Sequence, residues 1–356
     1  MKQNGEVLAL LKKFEQMGIP SIDCMVYQKG ECVFRYQSGF SDEQRTKPVD
    51  GSERYNLYSC SKPITCTAAL QLIEKGVIGL DTPVYEYLPE FRNLKKRSGD
   101  SLEEVKNPMT VHHLFTMSGG LTYNVTSENI RRGQKETNGV MQTRDAMKYL
   151  ACDSLIFEPG ERFNYSLCHD VLAAVVEVAA GITFGQHVKE NIFDPLSMTR
   201  STFMLPKNEL CEIAAQYHYD AEMQRFLSVG PEIQNYKLGS GYESGGAGCI
   251  STVEDYIRFQ EGLRTGKLLS PKILKMMYTP QINNSNPMEY AYGLGVRCPS
   301  TGSALQDFGW DGAAGSFTAI MPEAEASFFY GQHVLNSPHL PFKFEFAKAL
   351  KDDLKQ

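Results

Sequence analysis

"YSCSKPITC", residues 58–66, contains the one S-x-x-K of the chain, Ser59 and Lys62. It leads into an apolar run, "PITCTAALQLIEKG", with helical spacing at Ile64, Ala68, Leu72 and Ile73 and a stop at Gly76. Two readings compete. Serine favours helix starts, and Pro63 is tolerated in a first turn because its missing N–H has no partner there, which leaves Lys62 as a solvated side chain. Alternatively, residues i and i+3 share a helix face, so the lysine nitrogen reaches the serine oxygen. In that case burial and the positive helix end disfavour the ammonium and favour an amine that takes the serine proton. The rest of the chain decides between them.

Outward from this helix, "SIDCMVYQKGECVFRYQSGF" carries two β-rich runs around Lys29-Gly30, a hairpin pattern preceded by an amphipathic helix with Val7, Leu8, Leu10, Leu11 and Phe14 on its apolar stripe. From about residue 81 to 285 the pattern is mostly helical. Strand-like runs return at "YGLGVRC", "GSFTAIMP" and "ASFFYGQH", before a last helix in "PFKFEFAKALKDDLK". This order predicts an α+β fold: an antiparallel sheet built from both termini, flanked by the terminal helices, with a large helical insertion. Residues 1–80 and 286–356 then form the sheet domain and 81–285 the helical domain. The site is expected in the cleft between them.

Two further stretches bear on the chemistry. "EPGERFNYSLCHD" places Tyr165 after a Pro-Gly turn and just before an apolar helix, and "FGWDGAAGSFTAIMPE" places Trp310-Asp311-Gly312 before a strand. Taken singly, they read as a core aromatic and a tight turn. Taken together, in this order and spacing, they resemble the penicillin-recognising serine hydrolases, above all class C β-lactamases and their esterase and D-aminopeptidase relatives. "MTVHHLFTMSGGL", "GYESGGAGCISTVEDYIRFQEGLRTGKLLSP" and "AYGLGV" extend the resemblance over most of the chain.

The resemblance implies that Ser59 is the acyl-accepting nucleophile and that Lys62 and Tyr165 serve its proton transfer, with either as the base. It places the oxyanion hole at the backbone N–H groups of Ser59 and Ala313, the latter on the strand after the third motif. Two departures concern substrate. Leu167 stands where the family's Y-x-N motif has asparagine, and Trp310 stands where β-lactamases have the lysine of K-T-G. An apolar ring does not replace a point charge. Trp310, Asp311, Gly312 and Leu167 are therefore expected to shape the substrate site. They favour esters over β-lactams, with Asp311 repelling anionic acyl groups. The expected activity is carboxylesterase-like. A β-lactamase, a D-amino-acid peptidase or amidase, an acyltransferase and a catalytically silent binding protein remain as alternatives.

Other features narrow the classes. A formal net charge of −6 and the lack of a Lys/Arg-rich block argue against nucleic acid. No run approaches the roughly 20 apolar residues of a membrane span, and the charged N-terminus is unlike a signal peptide. Nine cysteines without C-x-x-C spacing then suggest reduced thiols and a cytoplasmic protein. No H-E-x-x-H or H-x-x-x-H occurs, so neither a metal nor another cofactor is expected, and the implied partner is a small ester, amide or lactam. Cys60 is expected to be a buried small hydrophobe, and His169 a structural residue at a helix start.

Overall fold

The two-residue turn at Lys29-Gly30 has positive φ at both positions, 56° and 83°. That geometry suits the twist of a tight hairpin, and glycine meets it without strain. It joins the strands Ser21–Gln28 and Glu31–Gly39, which pair antiparallel with a bulge between Val26 and Tyr27. The structure is a computed structural model that describes residues 5–230, 234, 236–282, 290–299 and 307–354. The expected domain boundary at 285/286 lies outside the described residues.

The C-terminal strands Phe317–Met321 and Ala326–Gly331 complete a four-stranded antiparallel sheet, with Ala326–Gly331 and Ser21–Gln28 at its centre. Both termini thus build one sheet, as the sequence pattern predicts. Helix α1 (Glu6–Gln16) covers it together with the C-terminal helix Lys343–Leu354. Phe14, Phe328, Tyr330 and Phe346 interlock there, the rings of Phe328 and Phe346 lying 4.8 Å apart between centroids. Asp353 closes the arrangement by accepting from the first free amides of α1, Glu6 and Val7, where a carboxylate also meets the positive helix end.

Helix α2 (Ser61–Glu74) is buried at every position from Ser61 to Leu70. A helix buried on every side belongs inside a core, and α2 packs there against the helix Cys168–Ala180. Between these two helices in sequence lie α3 (Val111–Phe115), α4 (Glu128–Glu136) and α5 (Thr143–Leu150), making Cys168–Ala180 α6. A short helix, α7 (Phe184–Val188), follows, and α8 (Val253–Arg264) lies across the sheet face opposite α1. From α8, Gln260 donates to the carbonyls of Ala319 and Phe328, at 3.1 and 3.0 Å. Not all of the middle stretch is helical. A hairpin of Gln216–Asp220 and Arg225–Val229 pairs with Val334–Leu335 just past the central sheet.

Candidate active site

Ser59 sits in a single 3₁₀ turn, Tyr58–Cys60, immediately before α2. Tyr58 has a positive φ of 49°, a costly conformation for a tyrosine. It is held by Ser61, whose hydroxyl donates to Tyr58 O at 2.6 Å and accepts from Cys249 N at 2.9 Å. Tyr58 OH donates to Gln216 at 2.8 Å. The chain thus turns sharply at Ser59 and presents its Oγ, while Cys60 turns inward, fully buried, with its thiol pushed up by burial.

Lys62, one turn on, is 0% exposed, and its Nζ donates to Ser59 Oγ at 3.2 Å and to Gly246 O at 2.7 Å. Tyr165, on the loop before α6, brings its hydroxyl to 2.6 Å from the same Oγ. Three groups far apart in sequence converge on one oxygen. The helix-cap reading of Ser59 and the solvated reading of Lys62 both give way to this geometry.

The charge on Lys62 differs from the expectation of a neutral amine. Burial does pull its pKa down. Tyr123 and Tyr165 and the buried carboxylate of Asp170 outweigh that, and the net displacement is upward. The direction of the shift favours the charged form of Lys62. Sequence spacing gave no sign of Tyr123 or Asp170. The Tyr123 ring stacks on Tyr165 at 5.5 Å, and Lys62 Nζ lies 5.4 Å from its centroid. Its one sequence signal is adjacency to the "MSGGLT" stretch.

The third-motif corner departs further from expectation. Trp310 is 6% exposed and is not an open apolar wall. Its indole stacks on Tyr165 at 5.7 Å and meets Tyr290 and Tyr292 edge-on, and Nε1–H donates to Tyr165 OH at 3.3 Å. Asp311 is not a bare acid, because Arg297 and Lys343 both pair with it. Arg297 is also bound to Asp307. The acid's charge is thereby neutralised, which removes the expected repulsion of anionic acyl groups. Leu167, expected to face substrate, is 1% exposed within the main core. A leucine in place of asparagine gains by leaving water, and its backbone alone makes hydrogen bonds: the amide donates to Thr122 O at 3.2 Å and the carbonyl accepts from Asp170 N and Val171 N.

Ala313 lies in the turn between the third motif and the strand Phe317–Met321, not on the strand itself. The turn is closed by Gly312 N donating to Ser316 O and Gly315 N donating to Gly312 O, and Ala313 is left exposed at its tip. Gly312 has no room for a side chain: a Cβ there would lie 2.6 Å from Leu57 O, beside the nucleophile turn. His169 is a core residue. Its Nε2 faces Phe115 O at 3.2 Å, and burial pushes its pKa down to about 3.

Several known proteins resemble the chain in sequence and fold. A family model described as Beta-lactamase matches residues 9–353. Esterase EstB of Burkholderia gladioli is 30% identical over 271 residues, covering 70% of this chain and 67% of that protein. Acyltransferase calJ of Penicillium decumbens is 31% identical over 246 residues, 64% of this chain and 57% of its own. Among solved structures, EstCE1, a hydrolase with promiscuous acyltransferase activity, superposes with a TM-score of 0.77 at 23% identity, covering 97% of this chain and 99% of that one. The D-amino acid amidase of Ochrobactrum anthropi SV3 gives 0.76 at 18% identity, with 98% of each chain covered. At these identities, the structural matches speak for the fold alone.

Proposed function

The chain belongs to the beta-lactamase family, and on that premise we propose that it is a serine hydrolase cleaving uncharged carboxylic esters through an acyl-enzyme on Ser59. The observation that carries this reading is the convergence of Lys62 Nζ and Tyr165 OH on Ser59 Oγ.

In the proposed cycle, Ser59 Oγ attacks the ester carbonyl and its proton passes to a Tyr165 phenolate. The Lys62 ammonium and the Trp310 N–H stabilise that phenolate. The carbonyl oxygen gains a negative charge, which the amides of Ser59 and Ala313 would hold. The intermediate collapses as Tyr165 returns the proton to the departing alcohol, leaving the acyl group on Ser59. Water then attacks the acyl carbon, with Tyr165 again taking and returning a proton, and frees the acid. The first transfer, between Ser59 and Tyr165, runs between oxygens already 2.6 Å apart.

Neutral acyl groups are favoured because the cations of the third-motif corner are already committed: Arg297 to Asp307 and Asp311, and Lys343 to Asp311. The lysine that anchors a lactam carboxylate has no counterpart at Trp310. A second reading, acyl transfer to an alcohol, draws support from the acyltransferases among the relatives. The same acyl-enzyme serves both reactions.

A panel of p-nitrophenyl esters of graded chain length, a chromogenic cephalosporin and D-amino-acid amides tests the proposal. Esters should be turned over best, with a pre-steady-state burst, and added alcohol should divert the acyl group if transfer competes. Cephalosporin turnover without esterase activity would contradict it.

A further inference from the structure

The segment Gly241–Gly248, "GYESGGAG", is threaded between α2 and α6. A Cβ at Gly245 would lie 2.4 Å from His169 O and 2.6 Å from Ala173 Cβ, so only glycine fits. Thr65 of α2 holds one side by donating to Gly245 O at 2.7 Å. From the other side comes Asp170 of α6, fully buried, whose Oδ1 accepts from Tyr242 OH at 2.7 Å and Ser244 Oγ at 2.6 Å. Its second oxygen, Oδ2, makes no hydrogen bond of ordinary geometry among the described residues. It is turned towards the Gly246 backbone.

A Cβ at Gly246 would lie 2.5 Å from Asp170 Oδ2 and 3.4 Å from Lys62 Nζ. The carboxylate and the ammonium therefore face each other across this glycine, with nothing bulkier between them. Gly246 O is at the same time the 2.7 Å acceptor of Lys62. A buried carboxylate with one oxygen lacking a donor is costly unless a cation stands close.

We propose that Asp170 is a positioning residue of the catalytic centre: its carboxylate is the buried counter-charge of Lys62 and, through Tyr242 and Ser244, sets the glycine segment whose carbonyl aims Lys62 at Ser59. This rests on the roles proposed above for Ser59 and Lys62. The other ionisable groups around the pair are Tyr123, Tyr165, Cys66 and His169. Burial holds the Tyr123 phenol and the Cys66 thiol up and His169 down, so none of these three carries a negative charge at neutral pH; burial also raises the Asp170 carboxyl, which Ser244, the Lys62 charge and Tyr242 counter. Besides Tyr165, the base of the proposed cycle, Asp170 is the acid that faces Lys62 across Gly246.

Asp170→Asn separates charge from anchoring, because the amide oxygen still accepts from Tyr242 and Ser244. It should lower kcat for a p-nitrophenyl ester roughly tenfold or more while KM stays within about twofold, since Lys62 would lose its aim and not the substrate its pocket. Tyr242→Phe should lower Tm but cost less kcat than Asp170→Asn, because the charge remains. Native kcat in a folded Asp170→Asn protein would overturn the proposal.

A thermal double-mutant cycle reads the same pairing without activity. Lys62→Met strands a buried carboxylate, and adding Asp170→Asn should recover part of the lost Tm. Strictly additive losses, or a double variant no more stable than Lys62→Met, would show that Asp170 serves the loop alone. If Asp170→Asn fails to fold, a folded double variant still shows the coupling, and an unfolded one refutes it. Failure of the ester-hydrolase reading would show instead as absent turnover in the wild type, with the cycle unaffected.

Discussion

The nucleophile corner and the third-motif corner meet at one hydroxyl, that of Tyr165, yet they are built differently. Ser59 and Lys62 are one turn apart at a single helix start, so local backbone geometry brings them within reach, and Gly246 O then aims the lysine. Trp310 and Asp311 belong to a strand end and a turn, and their partners come from Tyr165, Arg297 and Lys343. Local geometry carries the first corner and tertiary pairing carries the second. The contrast teaches that local spacing shows which groups meet sooner than it shows how a corner built by tertiary pairing is filled.

The comparison breaks most readily at the first corner. Ser59→Ala should reduce ester turnover by about three orders of magnitude or more, and Lys62→Ala nearly as much, because members of one catalytic unit are not additive. Tyr165→Phe should cost about 10²–10⁴-fold in acylation rate with little change in Tm, measured by stopped-flow burst and thermal melt. An unchanged burst in Tyr165→Phe would remove the phenol from the proton path.

The second corner should respond less. Trp310→Phe keeps a large ring but deletes the N–H that reaches Tyr165 OH. A hydrogen bond to a charged group is worth about 1.5–3 kcal/mol, so kcat should fall roughly tenfold or more while KM changes little. A change confined to KM would mean that the indole acts as a wall and not as a donor. Leu167→Asn should not help a lactam bind. It buries an amide in the core and should cost about 1–3 kcal/mol of stability, seen as a lower Tm with no gain in cephalosporin turnover.

The smallest effect is on pH dependence. His113 and His333 are pushed down to about 4, and His169 and His339 to about 3, all chiefly by burial. The unfolded chain takes up protons at these sites below about pH 6.5 while the folded chain does not, so stability falls on acidification from there towards pH 3–4. Asp23 opposes this. Burial lifts its carboxyl to about 7, so the folded state holds its proton between about pH 4 and 7 and gains stability as pH falls through 7. Burial also lowers the pKa of His187, and it raises those of Asp170, Asp255, Glu177 and Glu243, whose protons act in the sense of Asp23. The four histidines shifted furthest predict that Tm falls between about pH 6.5 and 5, measured by thermal melts.

Much of the architecture was legible because it follows local pattern. The Lys29-Gly30 turn, the terminal strands and the buried α2 each carry their signal within a few residues. Ser59, Lys62 and Tyr165 were legible through motif order. The charge of Lys62 was not, since it depends on Asp170 and Tyr123, which no spacing rule links to it. Leu167 and Trp310 were assigned to substrate on residue type, whereas burial places one in the core and the other against Tyr165. The hairpin Gln216–Asp220 and Arg225–Val229 was read as part of a helical stretch, its pairing with Val334–Leu335 being long-range.

The most direct test of the central claim is intact-protein mass spectrometry on acid-quenched enzyme mixed with a p-nitrophenyl ester, followed by peptide mapping. The account predicts an increment equal to the acyl group, located on Ser59 and lost in Ser59→Ala. Turnover with no acylated Ser59, or an adduct on an exposed thiol such as Cys32, Cys152 or Cys211 in its place, would contradict it.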